Sequence, residues 1–350
     1  MKHFKCYSKE DILSLTKVRR FETRIGERVQ FVIKELEWHE ALLRSSAKYV
    51  VLGIPEDIGV KANYGTGGTD TAWLNFLTSF LNIQSNDFLT GDNILMLGHF
   101  DFGDLKFLIE HTASDTGEMI DAYRHALNII DDEVEHMLKL IASCKKIPIV
   151  VGGGHNNSYP IIKGVAKGLH QAEVIPLAQL NAINLDAHSG YRVSEGRHSE
   201  NSHRYAEEDG YLGKYCIIGL HENYISQNLL MEIHNNPFVD YISYEEIFLH
   251  ERKNFIQAVA HATGFTEDTL TGIELDLDAV EQVLTSDMTP SGITPLQARQ
   301  YINFTATDAK VAYLHICEGA AQLADGRKDD STGKLISYLV SDFIKANSQD

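Results

Sequence analysis

The stretch IPIVVGGGH, residues 147–155, decides the fold that we predict from this sequence. Its apolar run is typical of a β-strand buried on both faces, because such strands are continuously apolar instead of alternating with polar residues. Segments with the helical spacing of apolar residues, such as 117–146 and 245–263, alternate with runs of this kind. The pattern predicts an α/β fold in which helices cover both faces of a parallel sheet. The other apolar runs are 49–54, 94–97, 182–185, 215–218, 270–275 and 312–316, with a weaker one at 238–242.

Composition and charge narrow the class of protein. The chain has 350 residues, 43% of them hydrophobic, and no Pro/Gly/Ser linker. We therefore expect one domain over 1–350, with residues 1–45 as a helical extension packed on it. The formal charge of −18 argues against a nucleic-acid partner, since phosphates are neutralised by clustered Lys and Arg.

The sequence also indicates in which cellular compartment the protein is expected. It shows no signal peptide and no run of about 18 apolar residues, which predicts a soluble protein without a membrane partner. The four cysteines form no CxxC pair. That spacing favours reduced thiols in a cytoplasmic protein.

Polar residues of metal-binding types follow directly after several predicted strands. After GGGH at 152–155 come DAH at 186–188, DLD at 276–278 and Glu318. In parallel sheets ligands lie beyond the carboxyl ends of the strands, and residues i and i+2 at a strand end point to the same side. We expect these side chains to converge on one ion.

The donor set indicates the kind of ion. Oxygen ligands with one or two imidazoles suit Mn²⁺ or a similar ion, and no thiolate is in a position that favours zinc. Each motif alone has an ordinary alternative, because a strand-end Asp or His often caps a helix or binds the backbone. The combination of D-x-H, D-x-D and a Gly-rich turn ending in His favours a metal site.

These motifs, in this order, resemble those of the arginase (ureohydrolase) family. The family carries GGDH, DAHxD and SxDxDxxDP, and this chain has GGGH, DAHSG at 186–190 and ELDLD at 274–278. GIPEDIGV at 53–60, followed by NYG at 63–65, is similar to the opening segment of the formiminoglutamate hydrolases, or formimidoylglutamases. The resemblance covers roughly residues 45–325 and implies a three-layer α/β/α sandwich with about eight parallel strands. It also implies Mn²⁺ as cofactor and a homo-oligomer.

Carried over to this chain, the resemblance implies two metal positions. Position B would consist of Asp186, His188, Asp276 and Asp278. Position A would consist of His155 with the shared Asp186 and Asp276.

Two carboxylates of the family's motifs are missing here. Gly190 stands where the family has the second Asp of DAHxD, and Gly154 where it has the Asp of GGDH. Both belong to position A, and a hard divalent ion needs anionic oxygen to offset the loss of its water shell. We expect one or two Mn²⁺ ions, with position B retained and position A weak or empty.

The resemblance also implies roles for residues around the ions. SENSH at 199–203 resembles the family's S-G-N-x-H, so Ser199 and Asn201 would bind substrate and His203 would act as acid or base. Asp278 would orient the attacking water, and Glu318 would hold the cationic head of the substrate.

A substrate with two carboxylates also needs a cationic partner. Arg192 is the best-placed candidate, followed by Arg197 and Arg204. The alternative is that each is an ordinary surface arginine, and that His203 is a solvated loop histidine among sixteen.

Three functions compete. The favoured one is hydrolysis of a small molecule, N-formimino-L-glutamate, to L-glutamate and formamide through water activated by the ions. The second keeps the site but acts on a guanidino compound such as arginine or agmatine. The third is a family member with impaired catalysis and a structural or regulatory role, which Gly154 and Gly190 favour.

Overall fold

The computed structural model describes residues 1–33 and 36–348 of the chain. The strands are β1 (Phe4–Cys6), β2 (Tyr49–Gly53), β3 (Ile94–Phe100), β4 (Ile147–Val151), β5 (Leu180–Leu185), β6 (Leu212–Leu220), β7 (Val239–Ser243), β8 (Thr271–Asp276) and β9 (Val311–Cys317). The α-helices are α1 (Lys9–Leu15), α2 (Trp38–Arg44), α3 (Ile58–Ala62), α4 (Ala72–Phe80), α5 (Gly103–Thr112), α6 (Thr116–Ser143), α7 (Ser158–Gln171), α8 (Ser202–Glu208), α9 (Gln227–Asn235), α10 (Tyr244–Phe248), α11 (Phe255–Phe265), α12 (Pro295–Asp308) and α13 (Ser331–Asn347).

The strands of the described residues form one sheet in the order β1-β3-β2-β4-β9-β8-β5-β6-β7. From β3 to β7 all neighbours pair in parallel, and β1 runs antiparallel to β3 at the edge. Parallel neighbours need long crossovers, which here are helices that cover both faces. The predicted α/β/α sandwich with a parallel sheet is confirmed, and each predicted apolar run overlaps one of β2 to β9.

Alternation along the strands divides the interior into two cores. In β4, Ile149 and Val151 belong to one core and Val150 to the other, because successive side chains leave opposite faces of a strand. Helices α4, α11, α12 and α13 close the first core, and α6 and α7 close the second. The central strands are thus buried on both faces, which explains their continuous apolarity.

Two segments differ from the sequence prediction. The region 245–263 forms two helices, α10 and α11, because Asn254 begins a new helix by accepting a hydrogen bond from the Gln257 amide. The N-terminal segment contains α1 and α2 but also the strand β1, where Phe4 packs edge-on against Phe100 and Trp38. The described part of this segment, 1–33 and 36–45, therefore adds a strand to the sheet and also packs Ile12 and Leu42 into its two cores. Within the described part of the chain, no helix combines the length and apolarity needed to cross a bilayer.

Four strands at the centre of the sheet are neighbours in the order β4, β9, β8, β5. Because they are parallel, their carboxyl ends meet at one edge, where the motifs at 152–155, 186–188 and 276–278 and the residue Glu318 follow. The topology brings together segments that are far apart in the sequence, as the motif positions predict.

Candidate metal centre

His155 lies at the centre of the converging strand ends. Its Nδ1 atom is 2.9 Å from Oδ2 of Asp276 and 3.2 Å from Oδ2 of Asp186. Its backbone amide donates to Oε1 of Glu318 at 2.7 Å. All four residues are almost completely buried. The structure therefore brings together the residues predicted for position A and the carboxylate predicted to bind substrate.

The Gly-rich turn that carries His155 is held by Glu56, a buried residue that the motif analysis does not single out. The carboxylate of Glu56 accepts hydrogen bonds from the amides of Gly154 at 3.0 Å and Ile58 at 2.7 Å, and from Nδ2 of Asn157 at 2.6 Å. These bonds connect the end of β4 to the start of α3. Glu56 thus positions His155 through the backbone of the turn.

A second group of ligand atoms lies nearer the surface. One side-chain atom each of His188, Asp278 and Asp287 lies within 4.8 Å of the other two, and Asp287 is 71% exposed. Nδ1 of His188 is buried, has no hydrogen-bond partner among the described residues, and lies 4.0 Å from Oε1 of Glu200. Asp287 and Glu200 thus add carboxylates to the residues predicted for position B.

The candidate centre contains several buried carboxyl groups and too few positively charged side chains to balance them. Burial, followed by repulsion from Asp276, raises the pKa of Asp278 and of Glu318 well above the usual range. Burial and the charge of Asp186 raise the pKa of Asp276 as well. Burial also opposes ionisation of Asp186, but its contacts with His155 outweigh that effect and lower its pKa. Buried carboxylates that repel one another, together with an unpaired imidazole nitrogen, fit a divalent cation bound through oxygen and nitrogen.

The space for the two missing carboxylates is filled. Gly190 has a φ of +57°, and a Cβ atom there would lie 2.6 Å from Nδ1 of His203. A Cβ on Gly154 would lie 2.5 Å from Oδ1 of Asn156 and 3.0 Å from a methyl of Val60. Neither position accepts a side chain unless its neighbours move.

A buried glutamate, Glu274, lies directly beyond His155. Its Oε2 atom is 3.0 Å from Nε2 of His155, 3.4 Å from Nε2 of His203 and 3.7 Å from Nδ1 of His315, and it also accepts a hydrogen bond from Ser158. Burial alone would raise the pKa of Glu274, but His203, His155 and His315 hold it well below the usual range.

The sequence prediction does not assign Glu274 or His315 to the site, although the strand pattern contains a signal for both. Asn184, Glu274 and His315 pair in register across β5, β8 and β9. Each is a polar residue in the middle of an apolar strand, and polar residues are costly to bury unless they have partners.

The remaining predicted residues occupy the segment between β5 and α8. Ser199 and Asn201 are buried. The side chain of Asn201 donates to the Gly196 carbonyl at 2.8 Å and accepts from the His198 amide at 3.1 Å, so it braces the loop. Arg192 is half exposed and contacts Asn63 and Glu195.

The other two candidate arginines already have partners. Arg197 is buried in an ion pair with Asp131, at 2.9 Å from Nε to Oδ2, and Arg204 stacks on Tyr191 and pairs with Glu232. Among the three arginines considered, Arg192 is the one whose side chain is open to solvent.

Comparison with known proteins gives consistent matches. The sequence profile of the arginase family matches residues 47–344. The formimidoylglutamase of Geobacillus sp. is 23% identical over 305 residues, covering 86% of this chain and 85% of that protein. The formimidoylglutamase of Macrococcus caseolyticus is 26% identical over 251 residues, which is 70% of this chain and 75% of that protein.

The fold is shared with solved structures of the same kind. The crystal structure of Trypanosoma cruzi formiminoglutamase with Mn²⁺ superposes with a TM-score of 0.70 at 16% identity, covering 94% of this chain and 99% of that one. The agmatine ureohydrolase of Thermoplasma volcanium gives a TM-score of 0.63 at 18% identity, covering 97% of each chain. The resemblance predicted from the motifs is thereby confirmed.

Proposed function

Because the chain belongs to the arginase family, whose profile matches residues 47–344, we propose that it is a metal-dependent hydrolase of N-formimino-L-glutamate. The observation that carries this proposal is the convergence of Asp186, His188, Asp276 and Asp278 at the carboxyl ends of neighbouring strands. The relatives from Macrococcus caseolyticus and Geobacillus sp. are named formimidoylglutamases, which favours the formimino substrate.

The proposed cofactor is Mn²⁺ at position B, held by Asp186, His188, Asp276 and Asp278. Support comes from the oxygen-rich donor set, the unpaired Nδ1 of His188 and the raised pKa of the buried Asp278. The chemistry that a bound divalent ion supplies there is the activation of water.

The reaction adds water across the amidine carbon. The carbon–oxygen bond forms first, and the bond from that carbon to the glutamate nitrogen then breaks. One proton of the water goes to the glutamate nitrogen and the other to the nitrogen that becomes the amide of formamide, so the products are formamide and L-glutamate. In this proposal Asp278 accepts a hydrogen bond from the attacking water and so orients it.

Recognition of the substrate would use charge at both ends. Glu318 lies beside His155 at the buried end of the cluster and would bind the cationic formimino group through a charge-assisted hydrogen bond. Arg192 is solvent-accessible and would bind a substrate carboxylate. Ser199 and Asn201 stay candidates for substrate binding, and His203 for the proton that the leaving nitrogen receives.

A second candidate function rests on one specific observation. The spaces at Gly154 and Gly190 are filled by Asn156 and His203, so the centre is adapted to fewer carboxylates than the family's motifs contain. A family member with a structural or regulatory role would have such a centre. We retain this function as the alternative, and we propose a cytoplasmic homo-oligomer for either.

A product assay on the Mn²⁺-loaded protein separates these functions. We would supply N-formimino-L-glutamate, arginine and agmatine separately and measure formamide, glutamate and urea. Formamide and glutamate in equal amounts are expected from the first compound. Urea from either of the others would instead assign a guanidino hydrolase. Absence of product from all three would favour the non-catalytic role.

A matched pair of variants connects the activity to the site. Asp276→Asn is expected to lower kcat/KM by more than about 100-fold, because it removes a shared metal ligand. Asp132→Asn makes the same chemical change at an exposed position of α6 and should leave kcat/KM unchanged. Equal activity of the two variants would contradict the proposed site.

A further inference from the structure

Two buried side chains, His203 and Glu274, lie on the side of His155 that faces away from Asp186 and Asp276. One ligand atom each of His155, His203 and Glu274 lies within 4.8 Å of the other two. The Nε2 atoms of the two histidines are 3.0 Å and 3.4 Å from Oε2 of Glu274. Bonds of about 2.0–2.1 Å at tetrahedral angles place the ligand atoms of zinc about 3.3 Å apart, so these separations suit one ion.

The second nitrogen of His155 supports binding through Nε2. Nδ1 lies 2.9 Å from Asp276 and 3.2 Å from Asp186, close enough for an N–H group to donate to either carboxylate. A histidine that ligates a metal ion through one nitrogen commonly donates its other N–H to a carboxylate, which fixes the tautomer and the ring orientation. The surroundings of His155 have this arrangement.

His203 supplies an independent indication of a ligand. Its Nε2 atom is fully buried and has no hydrogen-bond partner within the described residues, although it points towards Oε2 of Glu274. The ring stacks on Tyr215, with centroids 4.1 Å apart and planes 13° from parallel, and its other edge lies against Gly190. The contact with Glu274 is an ion pair at 3.4 Å and not a hydrogen bond, and a buried nitrogen that makes no hydrogen bond is costly unless it acquires a partner.

We propose that His155, His203 and Glu274 form an additional metal site that binds a borderline ion such as Zn²⁺. Two imidazole nitrogens and one carboxylate oxygen suit zinc, whereas the oxygen-rich set at Asp186, Asp276 and Asp278 suits Mn²⁺. Nδ1 of His315 lies 3.7 Å from the same Glu274 oxygen but contacts Oγ of Ser158 at 3.2 Å, and His315 is not part of the group of three ligand residues.

The inference goes beyond the proposed function, because the ion would lie behind His155 and not at position B. It also gives a reason why position A is incomplete. His155 would be ligating through Nε2, and His203 would be fixed as a ligand in the space beside Gly190. His203 would then be unavailable as the acid or base predicted from the sequence.

The test uses zinc content and not turnover. We would express the full-length protein with the double substitution His188→Ala and Asp278→Asn, which removes position B, and load it with Zn²⁺ alone. After desalting we expect one Zn²⁺ per chain, with an X-ray absorption spectrum that shows scattering from two imidazoles. A chain without zinc, or zinc without that imidazole scattering, would overturn the inference.

Further substitutions in the double variant identify the ligands. His203→Gln and Glu274→Gln should each lower the zinc content at least tenfold, whereas His170→Gln, exposed at the C-terminal end of α7, should leave it unchanged. Circular dichroism confirms that each protein is folded. If His203→Gln and Glu274→Gln lose their fold, the absorption spectrum of the double variant decides the question by itself. Zinc binding by the double variant, together with no amidine hydrolysis by the Mn²⁺-loaded wild type, would support this site and contradict the proposed function. Hydrolysis by the wild type without zinc binding by the double variant would do the reverse, so the two failures are distinguishable.

Discussion

The ring of His203 occupies the space that a side chain on Gly190 would need, since a Cβ atom on Gly190 would lie 2.6 Å from Nδ1 of His203. The side chain that residue 190 can carry is therefore limited by the ring of His203. The loss of a carboxylate at residue 190 cannot be reversed without moving a buried imidazole that stacks on Tyr215.

Restoring the family's aspartate should destabilise the protein. Gly190→Asp is expected to lower the free energy of unfolding by about 2–4 kcal/mol, because a left-handed backbone costs about 1 kcal/mol and overpacking adds about 1–3. Urea unfolding measures the change. Gly210→Asp is a matched control, since Gly210 has a φ of +81° with no atom within 4 Å of its Cβ position. Equal losses in the two variants would show that crowding by His203 contributes nothing.

The buried ion pair between Arg197 and Asp131 should be essential to the loop at 189–201. Asp131→Ala is expected to lower the free energy of unfolding by about 3–5 kcal/mol, because it leaves the guanidinium buried and unpaired. Chemical denaturation measures the loss. The double variant Asp131→Leu with Arg197→Met should lose less than Asp131→Ala alone. A loss below about 1 kcal/mol for Asp131→Ala would mean that water replaces the carboxylate.

Glu56 should control the rigidity of the turn that carries His155. Glu56→Gln replaces an acceptor of several hydrogen bonds by an amide whose NH₂ group cannot accept them, and we expect a loss of about 1–3 kcal/mol. Hydrogen exchange at the amides of Ile58 and Gly154 should become faster. Glu267→Gln, at an exposed position, is the control and should leave exchange unchanged. Unaltered exchange in Glu56→Gln would contradict the assigned role.

The pH dependence of stability should carry a contribution from His198. Burial and the charges of Arg192, Arg124 and Arg197 lower its pKa to about 3, whereas the pKa in the unfolded chain is about 6.5. Between about pH 6.5 and pH 3, lowering the pH therefore protonates His198 in the unfolded chain but not in the folded chain. The stability that neutral His198 provides is therefore complete above pH 6.5 and is lost towards pH 3, at about 1.4 kcal/mol per pH unit.

His198→Asn keeps a side-chain acceptor for the Glu200 amide, which donates to Nδ1 of His198 at 3.1 Å, and removes the titrating group. Its unfolding free energy should fall less steeply than that of the wild type between pH 6 and pH 4. The comparison uses the slopes and not the absolute stabilities, since the smaller side chain leaves a cavity. Parallel curves would contradict the prediction.

The sequence predicts the central sheet well, because strands buried on both faces must be continuously apolar. The run at 147–151 coincides with β4. The sequence predicts β1 poorly, since a three-residue edge strand such as Phe4–Cys6 is too short to show a period in its pattern of apolar residues. The sequence prediction also treats α10 and α11 as one helical segment, because the helical spacing of apolar residues does not show that Asn254 caps a new helix.

The candidate centre is predicted only where motifs lie at strand ends. Asp186 and Asp276 follow directly from that pattern and meet at His155. Glu56 and Glu274 cannot be predicted from that pattern, because their roles depend on which hydrogen-bond donors from distant parts of the sequence the fold brings to their carboxylates. The filled space beside Gly190 likewise depends on a packing contact and not on residue spacing.

The amount of Mn²⁺ bound per chain tests the central claim most directly. Elemental analysis after incubation with Mn²⁺ and removal of loosely held ions should give one Mn²⁺ per chain for the wild type and none for Asp276→Asn, because we propose that position B is retained and that position A, which lacks carboxylates at Gly154 and Gly190, is not occupied. Two Mn²⁺ ions per chain would contradict the proposal for position A. No Mn²⁺ in the wild type would contradict the metal-dependent hydrolase itself.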